Sequence, residues 1–148
     1  MAASDYKVDI EGLRDFQKAL RTLGPEWPKK LTQTNREIAK MVADSAQLSA
    51  RSQGGVAAKA AGSIRAGAEQ RSGFVRINAT GKYKFALGAE FGSFRYHQFK
   101  TWRGNQWTDS GGNGVGYFLH PTIRAKQAEI KERYGKALEI LAKEAFPN

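Results

Sequence analysis

The sequence predicts an α+β fold in which a small antiparallel sheet packs against a long central helix and a C-terminal helix. Three observations lead there. Period-two alternation recurs in short runs, at Tyr6, Val8 and Ile10 and again from Phe74 to Leu87. Helical apolar spacing fills two long stretches, 27–48 and 122–146. Glycine-rich breaks separate these stretches instead of alternating strand and helix regularly, which argues against a parallel sheet.

Taken in order, Tyr6, Val8 and Ile10 alternate with Lys7 and Asp9 as a short strand that Gly12 ends. Leu13, Phe16, Leu20 and Leu23 then form one stripe of a short helix, stopped by Gly24-Pro25. In the long helix, Leu31, Ile38, Met41, Val42 and Leu48 make one face, with Ala39, Ala43 and Ala46 beside it for close approach. Gln53-Gly54-Gly55 breaks this helix. The alanine-rich run 56–67 leaves three courses open: a short helix, a loop, or a segment that orders on assembly. Phe74 to Ala79 reads as a strand, Thr80-Gly81 as a turn, and Tyr83, Phe85 and Leu87 as the returning strand of a β-hairpin. Periodicity is then lost until Tyr117, across a long loop that includes Ser110-Gly111-Gly112-Asn113-Gly114. His120-Pro121-Thr122 opens the last helix, with Ile123, Ile130, Tyr134, Leu138, Leu141 and Ala145 as its stripe.

At 148 residues the chain reads as one domain, 1–148, with 51–72 of uncertain order and 93–116 as a long loop able to contact a second subunit. It has no cysteine, which excludes a disulfide framework and a thiolate metal site. The opening residues lack the basic and apolar regions of a signal peptide, and no apolar run reaches the ~20 residues of a membrane span. A cytosolic or virion protein with no membrane partner is expected.

Charge is unevenly placed. The net charge is +10, and segment 51–118 holds ten basic and three acidic residues together with eleven of the sixteen aromatics. Such clustering points to a contact surface for nucleic acid or for another copy of the chain. Basic groups neutralise phosphates and exposed aromatics stack on unpaired bases. Arg65, Arg71, Lys82, Lys84, Arg95 and Lys100 are the candidates for facing DNA or an acidic partner, and Arg76 and Arg103 also lie among the aromatics. No recognised nucleic-acid motif accompanies them. Trp102 and Trp107, with Phe94, Tyr96, Phe99 and Arg103, have the composition of an interface hot spot. The same two tryptophans could instead fold back as a lid over the sheet.

Little points to catalysis, and neither an enzymatic activity nor a cofactor or metal is expected. His97 and His120 have no second ligand at metal-like spacing. Gly112-Asn113-Gly114-Val115-Gly116 lacks the strand-to-helix context and the Lys-Ser/Thr of a phosphate loop, and Tyr83 stands where Gly81-Lys82 would need a hydroxyl for magnesium. Glu90 has no partner at acid–base spacing and reads as an arginine's partner or a cap on a backbone amide.

Three short motifs carry a family resemblance. Val8-Asp9-Ile10-Glu11-Gly12-Leu13 leads into a helix and then a long alanine-bearing helix. Tyr83 to Gly92 ends in Glu90-Phe91-Gly92, and Tyr117-Phe118-Leu119-His120-Pro121 enters the last helix. In this order, over nearly the whole chain, they resemble the tail-completion or neck proteins of long-tailed bacteriophages. The chain departs from that pattern at Arg51-Ser52-Gln53-Gly54-Gly55 and in its long interval between Gly92 and Pro121. The resemblance implies a hydrophobic strand ending at Glu90-Phe91-Gly92 and a structural role in the virion. That role is a homo-oligomeric ring, sixfold or twelvefold, at the head–tail joint, assembled in the host cytoplasm. Its implied neighbours are the stopper, the tail terminator and the major tail protein, with genomic DNA passing through without sequence-specific contact. Sequence-independent nucleic-acid binding by the basic segment is the other function class.

Overall fold

The computed structural model describes residues 13–69, 72–92, 98–107 and 115–147. In chain order its helices and strands are α1 (Leu13–Leu23), α2 (Glu26–Gln53), α3 (Gly55–Ala60), β1 (Ile64–Ala68), β2 (Gly73–Ile77), α4 (Ala86–Phe91) and α5 (Leu119–Ala145). Short 3-10 turns sit at Ala61–Ser63 and Gly81–Tyr83. The fold is α+β: the described residues are mostly helical, with one two-stranded antiparallel sheet among them. The strand expected at Tyr6, Val8 and Ile10 lies outside the described residues.

The 28-residue α2 is the organiser. Its buried side chains are Leu31, Asn35, Ile38, Ala39, Val42, Ala43, Ala46 and Ala50, a stripe of helical spacing. The alanines, not the larger residues beside them, make the tight face. Leu48 is 68% exposed, so the expected apolar face is rotated toward them. Gln47 Nε2 donates to the Ile64 carbonyl (3.0 Å) and Asn35 Nδ2 to the Glu69 carbonyl (3.0 Å), fixing the two ends of β1 along α2. Helix α5 lies antiparallel to α2: Lys30 near the start of α2 pairs with Glu144 near the end of α5 (3.3 Å). Ile123, Ile130 and Tyr134 join the main core, while Leu141 and Ala145 close a smaller cluster with Leu20 and Leu31. Among the described residues no helix is long and apolar enough to cross a membrane.

Asn35 interrupts the apolar stripe of α2 yet is fully buried, so it must be satisfied internally. Besides its bond to Glu69, its Oδ1 accepts from the Tyr134 hydroxyl at 2.8 Å, joining α2, α5 and the hairpin. Tyr134→Phe is expected to cost about 1–2 kcal/mol by removing that buried bond, read from denaturant midpoints. Burial holds the Tyr134 phenol above its ordinary value of 10.0. The unfolded chain therefore releases this proton first. The phenol's contribution is intact below about pH 10 and fades above it, and Tyr134→Phe should flatten that alkaline loss.

A hairpin is present, but it is not the expected one: only the strand beginning at Phe74 is shared, and the turn lies before it instead of at Thr80-Gly81. β2 pairs with the preceding β1, Ile64 opposite Ile77 and Ala68 opposite Gly73. Residues 82–87, read as the returning strand, instead leave a 3-10 turn and enter α4. The resemblance's strand ending at Glu90-Phe91-Gly92 is likewise this helix. The physical reason is that a short run satisfies both periods. Tyr83, Phe85 and Leu87 alternate, but the side chains that become buried are Ala86, Ala89, Glu90 and Phe91, at helical spacing. The alanine-rich run takes one of its open courses, helix through Ala60, and then one that was not foreseen, strand from Ile64.

Candidate functional site

The two motifs that bracket the long loop meet in space. Helix α5 begins at Leu119, and its N-cap position, Phe118, has no side-chain oxygen with which to satisfy the first-turn amides. Glu90, fully buried at the end of α4, supplies the missing acceptor. Its carboxylate accepts from the backbone N–H groups of Tyr117 (2.9 Å) and Leu119 (2.7 Å), with longer contacts from Phe118 (3.4 Å) and His120 (3.3 Å). Pro121 has no N–H to satisfy, and Thr122 N–H reaches the Phe118 carbonyl (3.3 Å). Every donor of the helix start is thereby placed, and a negative charge lies at the positive end of a 27-residue helix.

His120 completes this centre. Its Nδ1 lies 3.3 Å from Glu90 Oε1, and its ring tilts against Phe91 at 5.0 Å. Both side chains are shut away from solvent, His120 at 1% exposure and Glu90 at 0%. A carboxylate consumed by helix amides and unreachable by substrate is suited to holding α5, not to moving protons for a reaction. Among the described residues no group of three His, Cys, Asp or Glu could hold a metal ion.

Two glycines make the centre possible. Gly116 has φ +84, and a Cβ there would run into Glu90 Oε1. Gly92 has φ +77, and its Cβ would strike the Gly104 carbonyl and the Tyr117 ring. Gly54 has a similar φ of +74 but open space around it. Gly54→Ala should therefore cost only the backbone strain of a positive φ with extended ψ, about 1–3 kcal/mol. Gly116→Ala should cost at least ~2 kcal/mol more, because the glutamate must also move. Paired thermal melts measure the difference.

Residues 98–107 fold back over this centre. Trp102 stacks on Tyr117 (5.0 Å, 4° between planes), and Phe99 meets both rings edge-on at 5.0 and 5.1 Å. The Tyr117 hydroxyl accepts from Arg103 N–H (2.7 Å) and donates to the Gly104 carbonyl (2.5 Å). Gln53, at the end of α2, donates to the Tyr117 carbonyl (2.6 Å) and accepts from the Thr101 hydroxyl (2.9 Å). Gln106 N–H reaches the Phe91 carbonyl at 2.6 Å. Above this layer Trp107 stacks on Phe91 at 4.2 Å while remaining 39% exposed. The Arg103 guanidinium lies 4.8 Å over the Tyr117 ring and faces solvent.

The candidate contact residues are thus divided. Phe99 and Trp102 are buried within the chain and offer no surface. This fold-back covers the junction of α4 and α5, not the sheet as the lid reading had it, and includes one tryptophan instead of both. Trp107 and Arg103 form the exposed rim of that lid. Phe94, Arg95 and Tyr96, like Arg71, lie outside the described residues. Arg65, Lys82, Lys84 and Lys100 are exposed, and of these Lys100 belongs to the lid segment itself. Arg65 stands on the solvent face of the sheet directly opposite Arg76. Sequence reasoning left Glu90 as an arginine's partner or a cap on a backbone amide, and the structure takes the second course. That reasoning missed which helix is capped, because the amides lie 27–30 residues away. Comparison of the chain with family models, with curated proteins and with solved structures finds no match.

Proposed function

We propose that this chain is a structural subunit of a bacteriophage head–tail connector, a neck or tail-completion protein that works as an oligomeric ring. The observation that carries the reading is the joining of Glu90-Phe91-Gly92 to Tyr117-Phe118-Leu119-His120-Pro121 in one buried centre. Two short motifs that resemble the neck proteins are then parts of one device, which makes chance similarity of each a weaker explanation. That device fixes the direction of α5 and closes the aromatic lid, so Trp107 and Arg103 are presented on a rigid base. Exposed Trp and Arg on a rigid base suit a heterologous, ring-closing contact between copies. The stopper, tail terminator and major tail protein are the neighbours such a ring would meet in the virion.

The test is head–tail joining. An infection in which the encoding phage lacks this gene should accumulate DNA-filled heads and separate tails, and the purified protein should join them. Trp107→Ala and Arg103→Ala together should remove joining while the melting temperature stays within a few degrees. Normal virions formed without the protein would overturn the reading.

A further inference from the structure

Two arginines face each other across the hairpin. Arg65 of β1 is the register partner of Arg76 of β2. The bonds Asn78 N–H to the Ser63 carbonyl and Glu69 N–H to the Ser72 carbonyl bracket the ladder and give it its parity. Arg65 and Arg76 are therefore a hydrogen-bonded pair, with Cα atoms roughly 5.5 Å apart and side chains on one face. Ile64, Val75 and Ile77 occupy the opposite, buried face. Like charges directly opposite each other destabilise a sheet, so the pair is not there for folding.

Both guanidinium groups are held in place. Arg76 lies 4.3 Å over the Phe74 ring, and that ring lies across Gly67, where a Cβ would collide with it. Arg65 donates to the Gly62 carbonyl and, at 3.4 Å, to that of Ile64. The Tyr83 hydroxyl packs against Gly62, which brings Lys82, 5.2 Å over the Tyr83 ring, to the same end of the sheet. Between Asp44 and Glu90 the sequence has one acidic residue, Glu69. It sits at the hairpin turn, four residues or about 13 Å along the strand from Arg65.

We propose that the solvent face of the β1–β2 hairpin binds the phosphate backbone of duplex nucleic acid, with Arg65 and Arg76 as paired contacts and Lys82 extending the row. Planar guanidinium groups held before binding match phosphate oxygens and lose little freedom on contact. Among the described residues of the two strands the one aromatic on this face, Phe74, is covered by Arg76 on one side and Gly67 on the other. It offers no stacking platform, which selects the duplex over unpaired bases. Nothing on the face is built to read base edges, so binding is independent of sequence. The surface exists on a single chain, and the inference stands apart from the ring reading.

The experiment measures binding of the full chain to a mixed-sequence 30-base-pair duplex, to its single strand and to polyglutamate, across a salt series. Arg65→Gln/Arg76→Gln is compared with Lys136→Gln/Lys143→Gln, which removes equal charge from α5. The arginine variant should bind duplex roughly tenfold more weakly and flatten the log–log salt slope by about 1.8, one ~0.9 step per phosphate. The lysine variant should match the wild type, and the single strand should bind no tighter than the duplex. If the double variant does not fold, Arg76→Gln alone should flatten the slope by about 0.9. An arginine variant indistinguishable from the lysine variant would overturn the proposal. So would polyglutamate binding tighter than duplex through the same arginines, which would assign the face to an acidic protein.

Discussion

Glu90→Ala is expected to destabilise the protein by about 3–5 kcal/mol, the range for removing one partner from a buried, charged hydrogen-bonding group. The substitution leaves the Tyr117 and Leu119 amides, bonded at 2.9 and 2.7 Å, without an acceptor in a site that admits no water. Each such orphan costs about 1–3 kcal/mol. The charge at the helix start is lost as well, worth up to ~2 kcal/mol in a buried geometry. At about 2–4 °C per kcal/mol for a chain of this size, the melting temperature should fall by roughly 6–20 °C. Glu90→Gln keeps the shape and one acceptor oxygen but turns an amide group toward the helix donors. It should fall between wild type and alanine. Melts at one protein concentration, so that association does not shift the midpoint, give the order. An alanine variant within about 1 kcal/mol of wild type would mean that Glu90 does not hold α5.

The second large effect separates the two tryptophans. Trp102→Ala should cost about 3–5 kcal/mol, because a ring at 8% exposure leaves a cavity between Phe99 and Tyr117. Trp107→Ala loses one stacked contact, with Phe91, from a ring already 39% exposed, and should cost about 0.5–1.5 kcal/mol. Chemical denaturation of the two single variants measures the gap. The contrast matters for function. Removing both tryptophans together would confuse loss of fold with loss of assembly, whereas Trp107→Ala leaves the core standing and alters the surface. Equal destabilisation by the two substitutions would place Trp107 in the core instead.

Long-period features were legible in the sequence. Helix α1 stops where Gly24-Pro25 places its end, and α2 ends at Gln53 before the glycine pair. The stripe of α5 is buried as spaced, with Leu138 partly covered. What failed was short. Six or seven residues after Gly81 fit two periods, and the choice was made by tertiary burial of Ala86 and Ala89, not by local pattern. Strand β1 was hidden because alanine and glycine are weak strand formers. Gly67 is there to make room for the Phe74 ring, a requirement that only the paired strand reveals. In the candidate site, the type of job done by Glu90 could be read from its apolar neighbours. Its partners could not, since a contact across 27–30 residues leaves no periodic trace. The tryptophans were ambiguous for the same reason: composition alone does not say which ring finds Tyr117 and which stays at the rim.

The central claim is assembly, and the native mass of the purified protein tests it most directly. One subunit weighs 16.3 kDa. The account predicts a closed species near ~98 or ~196 kDa, six or twelve subunits, which Trp107→Ala with Arg103→Ala converts to a folded monomer. A single 16.3 kDa species at every concentration, with heads and tails present or absent, would contradict it.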